Sequence, residues 1–364
     1  VALLRMVQPD SRRVHPVGGL GLSLPLRTSL HNHHASSHVH DRSVRVLHPF
    51  RPVAGRLRHA VDLCRALFAR SHSFVHRSIR PYGTTIENGK NMTKIHDILA
   101  AIGSGTRYNL HSHTQFCDGH ADMETMVQGA IAAGLTHYGF SPHGPVPIAS
   151  PCNMAASDMN AYMSEVMRLR DKYSGIISLY AGMEVDYLGP QWGPSSPEVE
   201  SYGLEYVIGS VHFVPAQNGE YADTDGPADR FRQYVESVFC GDLRYVVDRF
   251  FAQTQAMIEA GGLDIVGHFD KIGLNASSMQ PGIEDEPWYA RHIADTIDCM
   301  AAHGVIAEIN TKARGRHGRF FPGERWWPQL FRAGVPVLVN SDAHDPARTD
   351  AHRTDALNLI ESMP

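Results

Sequence analysis

The chain has 364 residues, of which 43% are hydrophobic, and it contains no uninterrupted apolar segment of membrane-spanning length. These features exclude a membrane-spanning class and predict a soluble protein without a membrane partner. Charge is distributed unevenly, because residues 1–91 carry 14 basic and 4 acidic side chains whereas residues 92–364 carry 19 basic and 34 acidic ones. The two segments therefore have net charges of +10 and −15, and we do not expect them to share one surface.

Residues 1–91 hold 10 of the 23 histidines and show neither a helical nor a strand period. Three interpretations compete: an Arg-rich organelle-targeting segment, a basic arm that binds nucleic acid, or upstream sequence joined to the protein by a misplaced start. The third is favoured because Met92 begins a more conventional sequence. We expect residues 1–91 to be a disordered extension or not part of the native protein. Residues 92–364 are then the main folded domain, with a length that suits one α/β barrel.

The five cysteines are scattered, form no CxxC pair and are odd in number. They argue against a disulfide framework and predict a reducing, cytoplasmic location. Cys117 lies within the first histidine-rich motif of residues 92–364, where we expect it to be a small packing residue rather than a metal ligand.

Short apolar segments alternate with amphipathic stretches through residues 92–364. Segments rich in Val, Ile, Tyr and Phe predict seven strands: Tyr108–His113, Tyr138–Ser141, Ile177–Val185, Tyr206–Phe213, Asp264–Phe269, Val305–Asn310 and Val335–Asn340. The amphipathic stretches predict helices over residues 121–134, 157–174, 228–261 with a break near Gly241, 286–304, 324–334 and 349–362. Gly134 and Gly304 mark helix ends, and a predicted strand follows each of them.

The alternation of strands and helices indicates parallel βαβ units, and nearly continuous apolar strands fit a sheet that is buried on both faces. The fold is then either a closed barrel or an open, doubly wound sheet. No glycine-rich phosphate loop follows the first strand, so a dinucleotide-binding sheet has no support. We therefore predict an α/β fold of the barrel type.

Residue types that bind metals occur at or near the ends of most predicted strands. They are His111, His113, Asp118, His143, Glu184, His212, His268, Asp342 and His344. The carboxyl ends of barrel strands share one face, so these side chains are expected to converge there. A single histidine is more often structural than a ligand, but burying so many polar groups together is costly unless a metal cluster is their partner. Imidazoles and carboxylates without thiolates suit Zn, Mn or Fe, and nine ligands suit three divalent ions better than one.

Six phrases, read together, resemble the polymerase-and-histidinol-phosphatase (PHP) superfamily: YNLHSHTQFCDGH, AGMEVDY, YVIGSVHF, DIVGHFDKI, EINT and VLVNSDAH. Residues 106–350 resemble its monofunctional histidinol-phosphatase branch. The resemblance implies a distorted seven-stranded (β/α)7 TIM-like barrel with a trinuclear metal site. By position it implies one ion held by His111, His113, Glu184 and Asp342, a second that shares Glu184 and adds His212 and His268, and a third held by Asp118, His143 and His344.

The same resemblance implies a phosphoric monoester hydrolase that converts L-histidinol phosphate to L-histidinol and phosphate in histidine biosynthesis. A metal-bridging hydroxide would attack phosphorus in line. Asp270 is a candidate either for proton transfer or for orienting His268. Lys312 and Arg316 are the expected phosphate-binding cations, chosen from the basic residues that follow the sixth strand.

A small phosphate ester is the expected partner. Acids near the mouth of the barrel would attract the cationic end of histidinol phosphate, and the candidates are Asp186, Asp223 and Asp225. One open alternative is a PHP phosphoesterase that acts on another small ester, a nucleotide or a nucleic-acid end. The charge of −15 on residues 92–364 argues against a long polyanion, so no nucleic-acid partner is expected. The second open alternative is a non-catalytic metal-binding domain of the kind attached to polymerases. The complete ligand set argues against this alternative. The sequence leaves the oligomeric state open.

Overall fold

Seven short strands form one parallel sheet whose spatial order follows their order in the chain. The computed structural model describes residues 92–363, so the expectations for residues 1–91 lie outside the described range. The parallel strands are β1 (Tyr108–Asn109), β2 (His137–Phe140), β3 (Ser178–Asp186), β4 (Tyr206–Ser210), β7 (Ile265–Val266), β8 (Ile306–Asn310) and β9 (Val337–Asn340). An antiparallel hairpin, β5 (Phe213–Pro215) and β6 (Tyr221–Asp223), lies between β4 and β7 in the sequence.

The first and last strands meet, so the sheet is nearly closed. An isolated parallel bridge joins the segments just beyond β1 and β9. Two buried asparagines complete this seam, because Asn340 Oδ1 accepts the backbone N–H of Leu110 at 2.9 Å and Asn109 Oδ1 accepts that of Ser341 at 3.0 Å. Buried backbone donors rarely remain unpaired, and these amides supply bonds that such short strands do not make with each other. The predicted seven-stranded α/β barrel is confirmed.

Several strands end earlier than the sequence pattern predicts. β1 ends at Asn109 although the predicted strand extends to His113. The predicted strand Tyr206–Phe213 is wrong as a single element, since β4 ends at Ser210 and Phe213 begins the hairpin. In both places the chain leaves the ladder at the barrel mouth, where loops carry the functional side chains.

The helices largely follow the predicted pattern. They are α1 (Met92–Ile102), α2 (Met123–Ala132), α3 (Met159–Lys172), α4 (Pro197–Ser201), α5 (Ala228–Ser237), α6 (Leu243–Ala260), α7 (Ile272–Met279), α8 (Pro287–His303), α9 (Arg314–His317), α10 (Trp327–Arg332) and α11 (Arg353–Ser362). The predicted break near Gly241 separates α5 from α6, whereas α1, α4, α7 and α9 were not predicted. Among the described helices, none is both long and apolar enough to cross a membrane.

Two apolar layers hold the barrel together. The smaller cluster joins residues of β1, β4, β7, β8 and β9 with Ile95 and Ile98 of α1. Because Lys94 donates to the carbonyls of Gly203 and Leu204, just before β4, α1 covers the end of the barrel where the strands begin. The larger cluster packs the outer helices against the sheet. The mouth at the carboxyl ends of the strands is left for polar residues.

Candidate metal centre

Glu184 lies at the centre of a polar cluster at the mouth of the barrel. It is near the end of β3, is 1% exposed, and its Oε1 accepts a hydrogen bond from Ser210 Oγ at 2.7 Å. Its Oε2 lies 3.2 Å from His111 Nε2 and 3.1 Å from His143 Nδ1. Its Oε1 lies 2.9 Å from His268 Nε2. One carboxylate from the middle of the sheet therefore faces imidazoles from three other segments.

A second carboxylate, Asp342, follows β9 and faces the same space. Its Oδ1 lies 3.0 Å from His113 Nε2, 3.8 Å from His111 Nε2 and 3.4 Å from His344 Nδ1. Asn310, at the end of β8, donates to the other Asp342 oxygen at 3.1 Å. That bond fixes the carboxylate and leaves Oδ1 directed at the histidines.

Asp118, in the loop after β1, completes the outer side of the cluster. Its Oδ1 is 3.6 Å from His113 Nδ1, 3.8 Å from His143 Nε2 and 3.4 Å from His344 Nε2. His212 reaches the opposite side, with Nε2 3.4 Å from Glu184 Oε1. The structure thus brings all nine predicted ligands together.

The donor atoms of this cluster have the chemistry of metal ligands. Three groups of side chains offer atoms that lie within 4.8 Å of one another: His113, Asp118, His143 and His344; His111, His113 and Asp342; and His143, Glu184 and His212. Among the described residues, five of these buried atoms have no partner in hydrogen-bond geometry, namely His111 Nε2, His113 Nε2, Asp118 Oδ1, His143 Nδ1 and Glu184 Oε2. Buried polar atoms without partners are costly, so their convergence fits divalent cations. His113 and His143 each belong to two of these groups. The spacing of residues along the sequence did not indicate that any histidine would be shared.

Two further buried carboxylates orient the histidine rings. Glu308 Oε1 lies 2.7 Å from His111 Nδ1, and Asp186 Oδ1 lies 2.8 Å from His212 Nδ1. Each carboxylate leaves the opposite ring nitrogen, Nε2, facing the cluster, as outer carboxylates commonly do for metal-binding histidines. The sequence showed Glu308 at a strand end but not this role, because ring orientation is not visible in residue spacing. Asp186 was expected near the mouth as an acid for the substrate; it does line the cavity there, and it also contacts His212.

The ionised carboxylates of the cluster favour the binding of metal cations. Burial would raise the pKa of Glu184, but the imidazoles of His111, His143 and His212 outweigh burial and hold that pKa well below its ordinary value. Burial lowers the pKa of His143 to about 4. The carboxylates of Asp186 and Glu184 instead outweigh burial at His212 and raise its pKa to about 9. Ionised carboxylates and neutral imidazoles are the states that bind metals, and a cation near His212 would displace its proton.

Of the three other predicted site residues, Lys312, Arg316 and Asp270, one contacts the proposed ligands, one is exposed away from them and one is buried in other contacts. Lys312 is at the site, with Nζ 3.3 Å from Asp342 Oδ1 and 3.2 Å from His344 Nε2. Arg316 is not brought there, because the single-turn helix α9 exposes its side chain to solvent and it does not line the cavity. Asp270 is buried, and its Oδ2 accepts bonds from Arg319 at 3.2 Å and from the Gly323 N–H at 2.8 Å.

Burial raises the pKa of two further side chains, those of Asp270 and Cys117. Burial raises the pKa of Asp270 to about 7, and the described hydrogen bonds of this carboxylate position the 319–323 segment rather than a predicted ligand. The Cys117 thiol lies 3.5 Å from His113 Nδ1, and burial raises its pKa to about 12. A neutral thiol agrees with the expectation of a packing residue.

A cavity of about 650 Å³ opens beside the cluster. Its wall includes Asp118, His143 and His212 from the cluster, together with Lys312. The β5–β6 hairpin and the loop after it add further acids, among them Glu220, Asp223 and Asp225. The cavity has the size of a small-molecule site. The hairpin that builds part of its wall was missed because its two strands have three residues each.

Comparisons with known proteins agree with this arrangement. The histidinol-phosphatase of Bacillus subtilis is 27% identical over 258 residues, which cover 64% of this chain and 92% of that protein. A Listeria monocytogenes protein assigned as a histidinol phosphatase superposes with a TM-score of 0.61 at 20% identity, covering 68% of this chain and 99% of that one. The histidinol phosphate phosphatase of Lactococcus lactis, solved with zinc, L-histidinol and phosphate, superposes with a TM-score of 0.52 at 17% identity, covering 70% and 93%. The sequence pattern of the PHP domain matches residues 109–312, more than half of the chain. The chain therefore belongs to the PHP domain family.

Proposed function

We propose that this protein is a metal-dependent phosphomonoesterase that hydrolyses L-histidinol phosphate to L-histidinol and phosphate. One observation carries the proposal: eight predicted ligands form three groups at the barrel mouth, the ninth, His268, contacts Glu184, and five of their buried donor atoms have no hydrogen-bond partner among the described residues. Such a cluster beside a small-molecule cavity is suited to hydrolysis of a phosphate ester. The name of the Bacillus subtilis relative supplies the substrate.

The proposed ligands are the nine residues predicted from the sequence, with Glu184 shared at the centre. Zinc is the first metal to test, because the Lactococcus lactis structure contains it. When bound, divalent ions in this cluster would supply Lewis acidity, both to activate water and to neutralise charge on the phosphoryl group. Glu308 and Asp186 hold the ring nitrogens of His111 and His212 that face away from the cluster.

Other side chains of the site would bind and orient the substrate. The Lys312 ammonium, beside Asp342 and His344, is placed to attract phosphoryl oxygens. Asp223 lines the cavity and would favour a substrate with a positive charge at its other end. Histidinol phosphate combines these two features. A long polyanion does not suit this wall, because residues 92–364 carry a net charge of −15.

The proposal is tested with the purified full chain, loaded with Zn or Mn, by measuring phosphate release from histidinol phosphate, a nucleotide and a generic monoester. We expect histidinol phosphate to give the highest kcat/KM, and chelation or His111→Ala to reduce kcat by at least about 1000-fold. His303→Ala is the matched control, because His303 is exposed near the end of α8. Efficient turnover of the nucleotide but not of histidinol phosphate would contradict the substrate. Activity that survives both chelation and His111→Ala would contradict the metal-dependent mechanism.

A further inference from the structure

A buried lysine that is not a metal ligand lies beside the metal centre. Lys271 follows β7, three residues after His268, and its backbone N–H donates to the His268 carbonyl at 2.8 Å. Its side chain is 10% exposed, and its Nζ lies 2.7 Å from Asp225 Oδ2. Asp225 is part of the cavity wall. The ammonium is therefore held against an acid of the cavity wall, and the Lys271 backbone contacts a proposed metal ligand.

The ammonium of Lys271 is paired with a carboxylate. Its Nζ contacts Asp225 Oδ2 at 2.7 Å, and an ion pair of this kind favours the charged form of a lysine. An ammonium has three donor hydrogens, and among the described residues the ion pair with Asp225 occupies one of them. A buried cation with spare donors is costly unless an anion completes its shell.

A second ammonium lies on another side of the centre. Lys312 follows β8 and contacts Asp342 and His344, whereas Lys271 follows β7 and contacts Asp225. Both lysines act electrostatically on Asp225, whose pKa they lower against the effect of burial. A phosphoryl group at the cluster would thus meet cations from two strand ends. A phosphate monoester is a dianion, and two cations match its charge.

We infer that Lys271, anchored by Asp225, binds a phosphoryl oxygen of the substrate and so is a catalytic residue beyond the metal ligands. The inference rests on the proposed phosphoesterase function and names a contact within that site. A different role would be purely structural, with Lys271 neutralising the carboxylates of the centre so that the ligands assemble. The two roles differ in what the loss of the charge changes: phosphate affinity in the first, metal content in the second.

The test uses the metal-loaded full chain and the variants Lys271→Met, Lys271→Arg and Asp225→Asn. The readouts are the competitive inhibition constant of inorganic phosphate, kcat/KM, and metal ions per chain from elemental analysis. For Lys271→Met we expect phosphate to bind about 10- to 100-fold more weakly, the loss typical of one hydrogen bond between charged groups, with unchanged metal content. Lys271→Arg keeps the charge and should bind phosphate more tightly than Lys271→Met. Asp225→Asn, which keeps the lysine but removes its anchor, should weaken phosphate binding by about 3- to 10-fold.

Lys172→Met is the matched control, because Lys172 lies on the outer helix α3, where it pairs with Glu124. It should leave the phosphate constant unchanged. An unchanged constant in Lys271→Met, or a loss of metal ions in that variant, would overturn the inference. If Lys271→Met does not fold, equal phosphate affinity in Asp225→Asn and the parent chain would overturn it as well. A generic monoester serves as the reporter substrate, so the result does not depend on whether histidinol phosphate is the natural one.

Discussion

At the residue scale, the metal centre depends on side chains that bind no metal themselves. Glu308 is fully buried, accepts the Nδ1 hydrogen of His111, and is itself fixed by the side-chain amides of Asn310 and Asn340 at 3.0 and 3.1 Å. The nine proposed ligands could be selected from the sequence because each is a metal-binding residue type near a strand end. The contacts of Glu308 and Lys271 could not, because they depend on which way a ring or an ammonium faces. Spacing along the chain does not contain that information.

Replacing Glu308 by Gln should weaken metal binding without unfolding the protein. The amide has the shape of the carboxylate but not the charge that holds the proton on His111 Nδ1 and keeps Nε2 free for a cation. We expect metal affinity to fall about 10- to 100-fold, measured by titration against a competing chelator. Glu361→Gln, at an exposed position in α11, should leave the affinity unchanged. Equal affinities in the two variants would contradict an orienting role for Glu308.

A different buried acid should make stability depend on pH. Asp264 Oδ2 accepts the Val207 N–H at 2.8 Å where β4 and β7 begin, and burial raises the pKa of this carboxyl to about 6. The folded protein therefore binds more protons than the unfolded chain between about pH 4 and 6, so this residue's contribution to stability falls as pH rises through that window. Asp264→Asn keeps the hydrogen-bond acceptor and removes the titration.

Relative to Asp264→Asn, the parent chain should lose about 1 to 2 kcal/mol of unfolding free energy between pH 4 and 7, allowing for solvent screening of a partly exposed group. Urea unfolding of both proteins at several pH values measures the difference. Parallel stability curves for the two proteins would show that Asp264 has an ordinary pKa.

At the element scale, the strands end where the chain must turn its side chains into the centre. Two proposed ligands, His268 and Asp342, have positive φ angles of 21° and 50° just after β7 and β9. Such angles are uncommon for residues other than glycine and are often found at functional sites. The predicted strand Asp264–Phe269 ran past the turn at His268, because the apolar pattern reports burial and not backbone direction, whereas the end of Val335–Asn340 was predicted correctly. The centre therefore sets where those strands end.

The barrel interior also depends on two strand glycines. The Tyr206 ring fills the space beside β2 and β3, and its hydroxyl donates to the Leu110 carbonyl at 2.6 Å and lies 3.1 Å from the Phe140 carbonyl. A Cβ at Gly182 would lie 2.1 Å from the Tyr206 ring, and one at Gly139 would lie 2.2 Å from its hydroxyl. Neither distance can be accommodated without moving a buried aromatic side chain.

Gly182→Ala should therefore destabilise the barrel by about 3 kcal/mol, combining overpacking with disturbed hydrogen bonds of Tyr206. Urea unfolding measures the loss. Gly226→Ala is the control, because a Cβ there meets its nearest atom at an ordinary 3.5 Å, and it should change stability by less than about 0.5 kcal/mol. Similar stabilities for the two variants would contradict tight packing around Tyr206.

At the scale of the whole molecule, closure of the barrel joins the two ends of the ligand set. The strands follow one another in sequence order, so β1 and β9 become neighbours only when the sheet closes. His111 and His113 follow β1, while Asp342 and His344 follow β9. Alternating strands and helices made a barrel predictable. The seam itself was not, because it relies on the side chains of Asn109 and Asn340 rather than on a continuous ladder.

Asn340→Leu tests whether this seam stabilises the fold and the centre together. The leucine fills a similar volume but leaves the buried Leu110 N–H without its acceptor and removes one of the two hydrogen bonds to Glu308 Oε1. Two such losses should cost about 3 kcal/mol of unfolding free energy. Hydrogen exchange should accelerate at the Leu110 amide more than in the outer helices, because the broken contact lies between the first and last strands. Metal affinity should fall as well, since Glu308 orients His111.

Asn358→Leu, at an exposed position in α11, is the control and should leave all three measurements unchanged. If Asn340→Leu lowered stability but not metal affinity, closure and the centre would be independent. If exchange rose equally everywhere, the seam would contribute to stability without being a local weak point. The combined loss of stability and metal affinity is expected from one geometric fact: Asn340 contacts both the backbone that closes the barrel and the carboxylate that holds a ligand. A barrel closed in this way brings its first and last ligands together only when the fold is complete.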